Sequence, residues 1–229
     1  MGYYIDPTYL LLIIGMVLTL IASARMKSTF SRYKTVRSAS GLTGAETAQR
    51  VLMTAGISDV RIQPVGGSLT DHYDPRTKTV NLSTDVYSQT SIAAVCVAAH
   101  ECGHAIQHHI DYAPLNFRTA LVPVANLGSS LAWPVFFAGL VFSLPILTTA
   151  GIVLFALAVL FQLVTLPVEF NASSRALRML ESSGILTMEE NAGARKVLTA
   201  AALTYVAALA SSVLQLVRLM LLSNRRSRK

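Results

Sequence analysis

The chain has 229 residues, 52% of them hydrophobic and only 14% charged, with a formal net charge of +7. That balance is foreign to an ordinary soluble domain and points to membrane spans. The cations gather beside apolar runs, as at Arg25, Lys27, Arg32, Lys34 and Arg37, where they act as topology signals; no nucleic-acid partner is expected.

Residues 1–24 read as an N-terminal transmembrane anchor. The apolar run at 9–24 ends in Ala22-Ser23-Ala24, which looks like a signal-peptidase site, but a secretory signal carries positive charge before its apolar core and MGYYIDPTYL carries none. An uncleaved anchor with its N-terminus outside is expected.

Residues 25–117 are more polar and mix helix and strand signals. Thr43 and Glu46 form a capping box ahead of a short amphipathic helix that stops at Gly56. VRIQPV and LTDHYDPRTKTVNLS read as strands, the second folded into a hairpin at Asp74 to Lys78. Strands at 69–73 and 79–82 would offer an edge on which an extended substrate could pair. The next segment, SIAAVCVAAHECGHAIQHH, is a helix with an apolar stripe at Ile92, Val95, Cys96, Ala99, Cys102 and Ile106, leaving His100, His104 and Gln107 toward another face. Cys96 and Cys102 point different ways on it, which excludes a disulfide between them.

Two apolar runs, 127–147 and 149–166, form a transmembrane hairpin whose Pro134 and Pro145 are tolerable in spans. After Pro167 the segment 167–199 is expected to carry a new polar helix, opened by Glu169 and stopped at Gly184. Residues 200–222 are apolar, with Thr204, Ser211, Gln215 and Arg218 along one stripe, and 223–229 form a basic tail.

The chemistry lies in HECGH. Positions i and i+4 share a helix face, so His100 and His104 can turn one nitrogen each toward a single zinc ion. Glu101 is offset by about a third of a turn; its carboxylate stands beside the ion, placed to act as general base on a zinc-activated water. Zinc needs a third protein ligand. The metzincin spacing would place it at Ile110, with a glycine at Gln107, and both residues exclude that class. Glu169 is the chief candidate, because a hairpin that crosses the bilayer and returns brings it back to the side of His100. Ser173, one turn on, could hydrogen-bond a ligand. His72 either donates to an oxyanion or is an ordinary strand residue. The plain alternatives are an exposed polar stripe for the HECGH residues and a helix N-terminal carboxylate for Glu169. A fourth protein ligand at His108 would shut out water, so His108 and His109 read as solvated or interfacial. Arg175 and Arg178 read as helix-surface or lipid-headgroup cations.

AAHECGHAIQH followed by LPVEFNASSRAL, together with DHYDP and LTYVAA, resembles the YugP-type membrane zinc metallopeptidase family over nearly the whole chain. More distantly, the two motifs are similar to the HtpX and CAAX prenyl protease group, whose second motif reads E-F-x-A-D-x-x-A. The resemblance implies zinc on His100, His104 and Glu169, a catalytic Glu101 and proteolysis at the membrane. The implied fold is α+β, mainly α: a multi-pass membrane protein with a small gluzincin-like peptidase domain, its HExxH helix beside a short β-hairpin. Where the distant group has an aspartate, Ser173 stands, which weakens the support it could give a ligand.

The expected function is that of a membrane-integrated zinc endopeptidase whose partners are the lipid bilayer and a peptide or protein substrate. Its peptidase domain is placed on the cytoplasmic side by the cations after the first span. The alternative is a non-catalytic, zinc-stabilised membrane scaffold. An HExxH buried in hydrocarbon is excluded by Gln107, His108, His109 and Asp111. The segment 200–222 either spans or lies against the interface, because spanning would leave the basic tail outside. Substrate sequence and oligomeric state are not encoded in any motif.

Overall fold

A computed structural model describes the backbone of residues 6–227 and the side chains of residues 6–224. The first half of MGYYIDPTYL and the side chains of Arg225 to Lys229 in the expected basic tail lie outside the described residues. The order is α1 (Tyr9–Lys34), α2 (Gly44–Thr54), β1 (Arg61–Val65), β2 (His72–Asp74), β3 (Thr79–Ser83), α3 (Ile92–His109), α4 (Ala113–Val141), α5 (Pro145–Ser182) and α6 (Met188–Ser227). The chain is mainly helical with one small sheet, and divides into two compact units.

One unit comprises the described parts of Met1–Ser23, Phe117–Leu166 and Leu203–Lys229. It holds the apolar parts of α1, α4, α5 and α6, and all four helices are long and apolar enough to cross a membrane. They pack through small residues: a Cβ on Gly128 would lie 2.6 Å from the Leu154 carbonyl oxygen, and one on Gly15 2.6 Å from Ser211 Oγ. Close backbone approach of this kind is how helices associate where lipid removes the hydrophobic drive. The hairpin turns earlier than its composition suggests. Helix α4 ends at Val141, Ser143 takes a positive φ of 55°, and Pro145 opens α5, a position where its missing N–H costs nothing.

The other unit, Ala24–Asn116 with Pro167–Ala202, contains the sheet and α3. Helix α2 starts with the expected capping box: Thr43 Oγ1 accepts from the Glu46 N–H, and Glu46 Oε2 accepts from the Thr43 N–H. Gly56 follows the helix with a φ of 73°, as a left-handed stop requires. The strand order is β1-β3-β2, with β1 parallel to β3 and β2 antiparallel. The segment 79–82 is therefore no free edge. Val80 and Leu82 are fully buried, and sealing them on both sides takes two neighbours. Residues 69–71 also fall outside the ladder, Leu69 bending away with a φ of 57°.

Helix α3, capped by Ser91 Oγ on the Ala94 N–H, is surrounded rather than amphipathic. Its alanines 93, 94, 98, 99 and 105 are all buried, and so are Glu101, His104 and Gln107. The exposed polar stripe is thereby ruled out. Small side chains let neighbours approach from every direction, which the sequence stripe alone did not convey.

Two expected breaks are absent. Helix α5 runs through Pro167 as one element of 38 residues, about 57 Å at 1.5 Å per residue against about 30 Å of hydrocarbon, so Glu169 lies deep inside it and opens no new helix. Pro167 removes one backbone hydrogen bond, yet its ring is exposed, while Val168, Ala172, Ala176 and Leu180 beyond it are fully buried. That packed stripe at four-residue spacing outweighs the lost bond. Likewise α6 is continuous from Met188 through the apolar stretch.

Leu180 is 0% exposed within the core of this unit. Leu180→Ala should cost about 2–5 kcal/mol, read as a lowered midpoint in thermal unfolding of the detergent-solubilised protein.

Candidate metal centre

On α3, one turn separates His100 from His104, and their rings meet edge to face, centroids 4.9 Å apart at 88°. That crossing lets both Nε2 atoms point to one place. Glu169 of α5 brings the third donor: its Oε2 lies 3.3 Å from His100 Nε2 and 3.6 Å from His104 Nε2. All three ligand atoms fall within 4.8 Å of one another. Donors held about 2.0–2.1 Å from a tetrahedral zinc lie about 3.3–3.4 Å apart, close to the two spacings from the carboxylate to the imidazoles. Glu169 Oε2 is also buried without any hydrogen-bond partner, a costly state that a cation at the convergence point would relieve.

Helix approach makes this possible. A Cβ on Gly103 would stand 2.6 Å from the Ala172 carbonyl oxygen, closer than any side chain tolerates. The helices meet there, between the two histidines on one side and three residues beyond Glu169 on the other.

Each imidazole is held at its far nitrogen. Ser173 Oγ lies 3.2 Å from His100 Nδ1, and Gln107 Oε1 lies 3.0 Å from His104 Nδ1. Burial by itself would push the His104 pKa down, but the Glu169 carboxylate and the charge of Glu101 outweigh it and leave the ring above its ordinary value. Burial would raise the Glu169 carboxyl, yet the two imidazole nitrogens facing its Oε2 hold it far below the usual carboxylate range. Glu101 is buried directly beside His100 on α3.

Glu169 lies in the interior of α5, far along the chain from the N-terminus of that helix at Pro145, so it is not the helix-opening carboxylate of the dipole explanation. His72 is exposed, its Nδ1 bound 2.8 Å from the Thr70 carbonyl. Its neighbour Tyr73 turns the other way, and the hydroxyl meets His108 Nδ1 at 2.8 Å. His108 is thus engaged and half-buried, whereas His109 is exposed. Burial and two nearby aspartates, Asp59 and Asp74, raise Tyr73 to about 12, which keeps the phenol a donor at neutral pH. The period-two alternation of a strand shows that only one of His72 and Tyr73 can face α3; nothing in the sequence says which. Arg178 is exposed, but Arg175 is no plain surface cation: its Nε donates to Asn171 Oδ1 at 2.7 Å and its guanidinium lies over Tyr112. Gln107 and Asn171 carried no signal beyond being polar residues near the motifs.

Residues 8–224 match the family described as "Putative neutral zinc metallopeptidase". The chain belongs to that zinc metallopeptidase family, and zinc is its metal. It is 47% identical over 212 residues to the "Putative membrane protease YugP" of Bacillus subtilis (strain 168), covering 93% of this chain and 94% of that protein. No solved structure matches it. The relative's printed name and the four membrane-capable helices support a membrane location.

Gly103→Ala should push α3 and α5 apart, lowering stability by about 1–3 kcal/mol and reducing the zinc retained through gel filtration. A variant melting and retaining zinc like the parent would mean that the helices do not touch there.

Proposed function

We propose that the protein is a membrane-integrated zinc endopeptidase with a gluzincin-like site, hydrolysing peptide bonds of membrane or misfolded proteins near the cytoplasmic face. The reading is carried by one observation, the convergence of His100 Nε2, His104 Nε2 and Glu169 Oε2 within 4.8 Å of one another. These three atoms would hold the ion. Zinc there supplies Lewis acidity, both for the scissile carbonyl and for the attacking water.

The chain's own residues supply the rest. The Glu101 carboxylate takes a proton from the attacking water and returns it to the departing amine nitrogen. Ser173 accepts from His100 Nδ1 and steadies that ring, a neutral partner where the distant relatives place a carboxylate. β2 is an edge strand, paired only with β3, and its outer side offers backbone groups to an extended peptide. Such pairing recognises main chain rather than a terminus, which suits an endopeptidase. Sidedness follows from Arg25, Lys27, Arg32 and Lys34 after the first apolar run, by the excess of cations in cytoplasmic segments. The scaffold reading is disfavoured, because three protein donors leave a coordination position to water, whereas a structural zinc is closed by four.

Glu101→Gln should keep about one zinc per chain while cleavage of an unfolded test protein falls about 10²–10⁴-fold; undiminished cleavage by a clean preparation would overturn the assignment. Glu169→Ala should lose zinc on dialysis under conditions where the parent keeps it, as metal analysis of both proteins would show.

A further inference from the structure

We propose that Arg175, Asn171 and Gln107 form a chain of hydrogen bonds that sets the tautomer of His104, placing its proton on Nδ1 and turning the Nε2 lone pair toward the metal. The inference rests on the zinc reading of His100, His104 and Glu169 and adds three positioning residues to it.

The direction of every bond in the chain follows from its far end. An arginine guanidinium can only donate, so the Asn171 atom 2.7 Å from Arg175 Nε is its oxygen, Oδ1. The Gln107 amide faces that oxygen at 3.0 Å and the Val168 carbonyl at 2.8 Å. Two acceptors at one end of an amide demand its NH₂ group there. Asparagine and glutamine orientations can be told only from such partners, and here they leave no choice. Gln107 therefore turns Oε1 to His104 Nδ1, 3.0 Å away, and an oxygen with no hydrogen can only accept. Nδ1 must carry the proton, so the neutral ring keeps its lone pair on Nε2, the atom that faces Glu169.

Burial makes the arrangement hard to reverse. Gln107 is 0% exposed, and flipping its amide would set an NH₂ against the His104 N–H while turning Oε1 against two acceptors, all without water to compensate. Tyr112 beneath the Arg175 guanidinium, 5.8 Å from its charge to the ring centre, holds the distal end in place. The same amide ties α3 to the backbone carbonyl of Val168, next to Glu169, and so couples the position of the third donor to the orientation of the second.

The experiment uses the full chain in detergent and reads zinc affinity by competition with a chelator for the parent, Gln107→Leu and Gln107→Glu. Loss of the acceptor in Gln107→Leu should weaken zinc about 10–100-fold. Gln107→Glu keeps an oxygen for Nδ1 but sets its other one against the Val168 and Asn171 oxygens, so only part of the loss should return, zinc binding at least about threefold tighter than to Gln107→Leu and more weakly than to the parent. A purely structural bridge between helices predicts the opposite, since glutamate cannot donate to Val168 and Asn171. Zinc binding by Gln107→Leu equal to the parent's, or by Gln107→Glu as weak as by Gln107→Leu, would overturn the inference. Should Gln107→Leu fail to fold, Gln107→Glu decides alone: affinity within about tenfold of the parent upholds the oxygen acceptor at Nδ1 and with it the proposed tautomer, and a larger loss removes it. A parent that binds no zinc would overturn the metal reading itself and this inference with it, an outcome distinct from the others.

Discussion

A carboxylate 3% exposed, with one oxygen that no hydrogen bond reaches, is stable only if positive charge meets it. Glu169 is in that condition, and the two imidazole nitrogens beside it are the groups that share its burden. Much of the surrounding structure can be understood from this demand. Two donors must come from one helix face, the third from another helix, and the two backbones must nearly touch. The alanine-rich α3 and its Gly103 against Ala172 supply that contact where any larger residue would hold the carboxylate too far away.

The packed part of α5 beyond Pro167 supplies the matching rigidity. Four residues of a single helix then act in fixed register: Glu169 toward the imidazoles, Ser173 one turn later on His100, and Asn171 with Arg175 on the neighbouring face behind Gln107. The buried stripe of Val168, Ala172, Ala176 and Leu180 anchors this part of the helix in the core, and so contributes to the site without touching it.

The partners of the two imidazoles are neutral, a serine and a glutamine. Carboxylates in those places would add negative charge to a buried site that already contains Glu101 and Glu169. Neutral acceptors orient the rings without that charge, and orientation then depends on hydrogen-bond direction, which is why a residue as remote as Arg175 acquires a part in it.

Local regularities were legible in the sequence by itself. The one-turn spacing of His100 and His104, the adjacent Glu101, the capping box at Thr43 and Glu46, the membrane-capable apolar stretches and a helical region rich in small residues all follow from periodicities and side-chain chemistry of neighbouring positions. Glu169 came into view only through the hairpin argument and the resemblance, because no local pattern links it to a motif 65 residues before it. What the tertiary structure alone decided is whatever depends on which groups meet across that gap: the central place of β3, the choice of Tyr73 over His72 to face α3, the unbroken course of α5, and the bonds from Gln107 to residues 61 and 64 positions away. Helix propensity and proline rules act over a turn or two, whereas burial and hydrogen-bond satisfaction are settled only once distant segments are in contact, and there they prevail over the local preference.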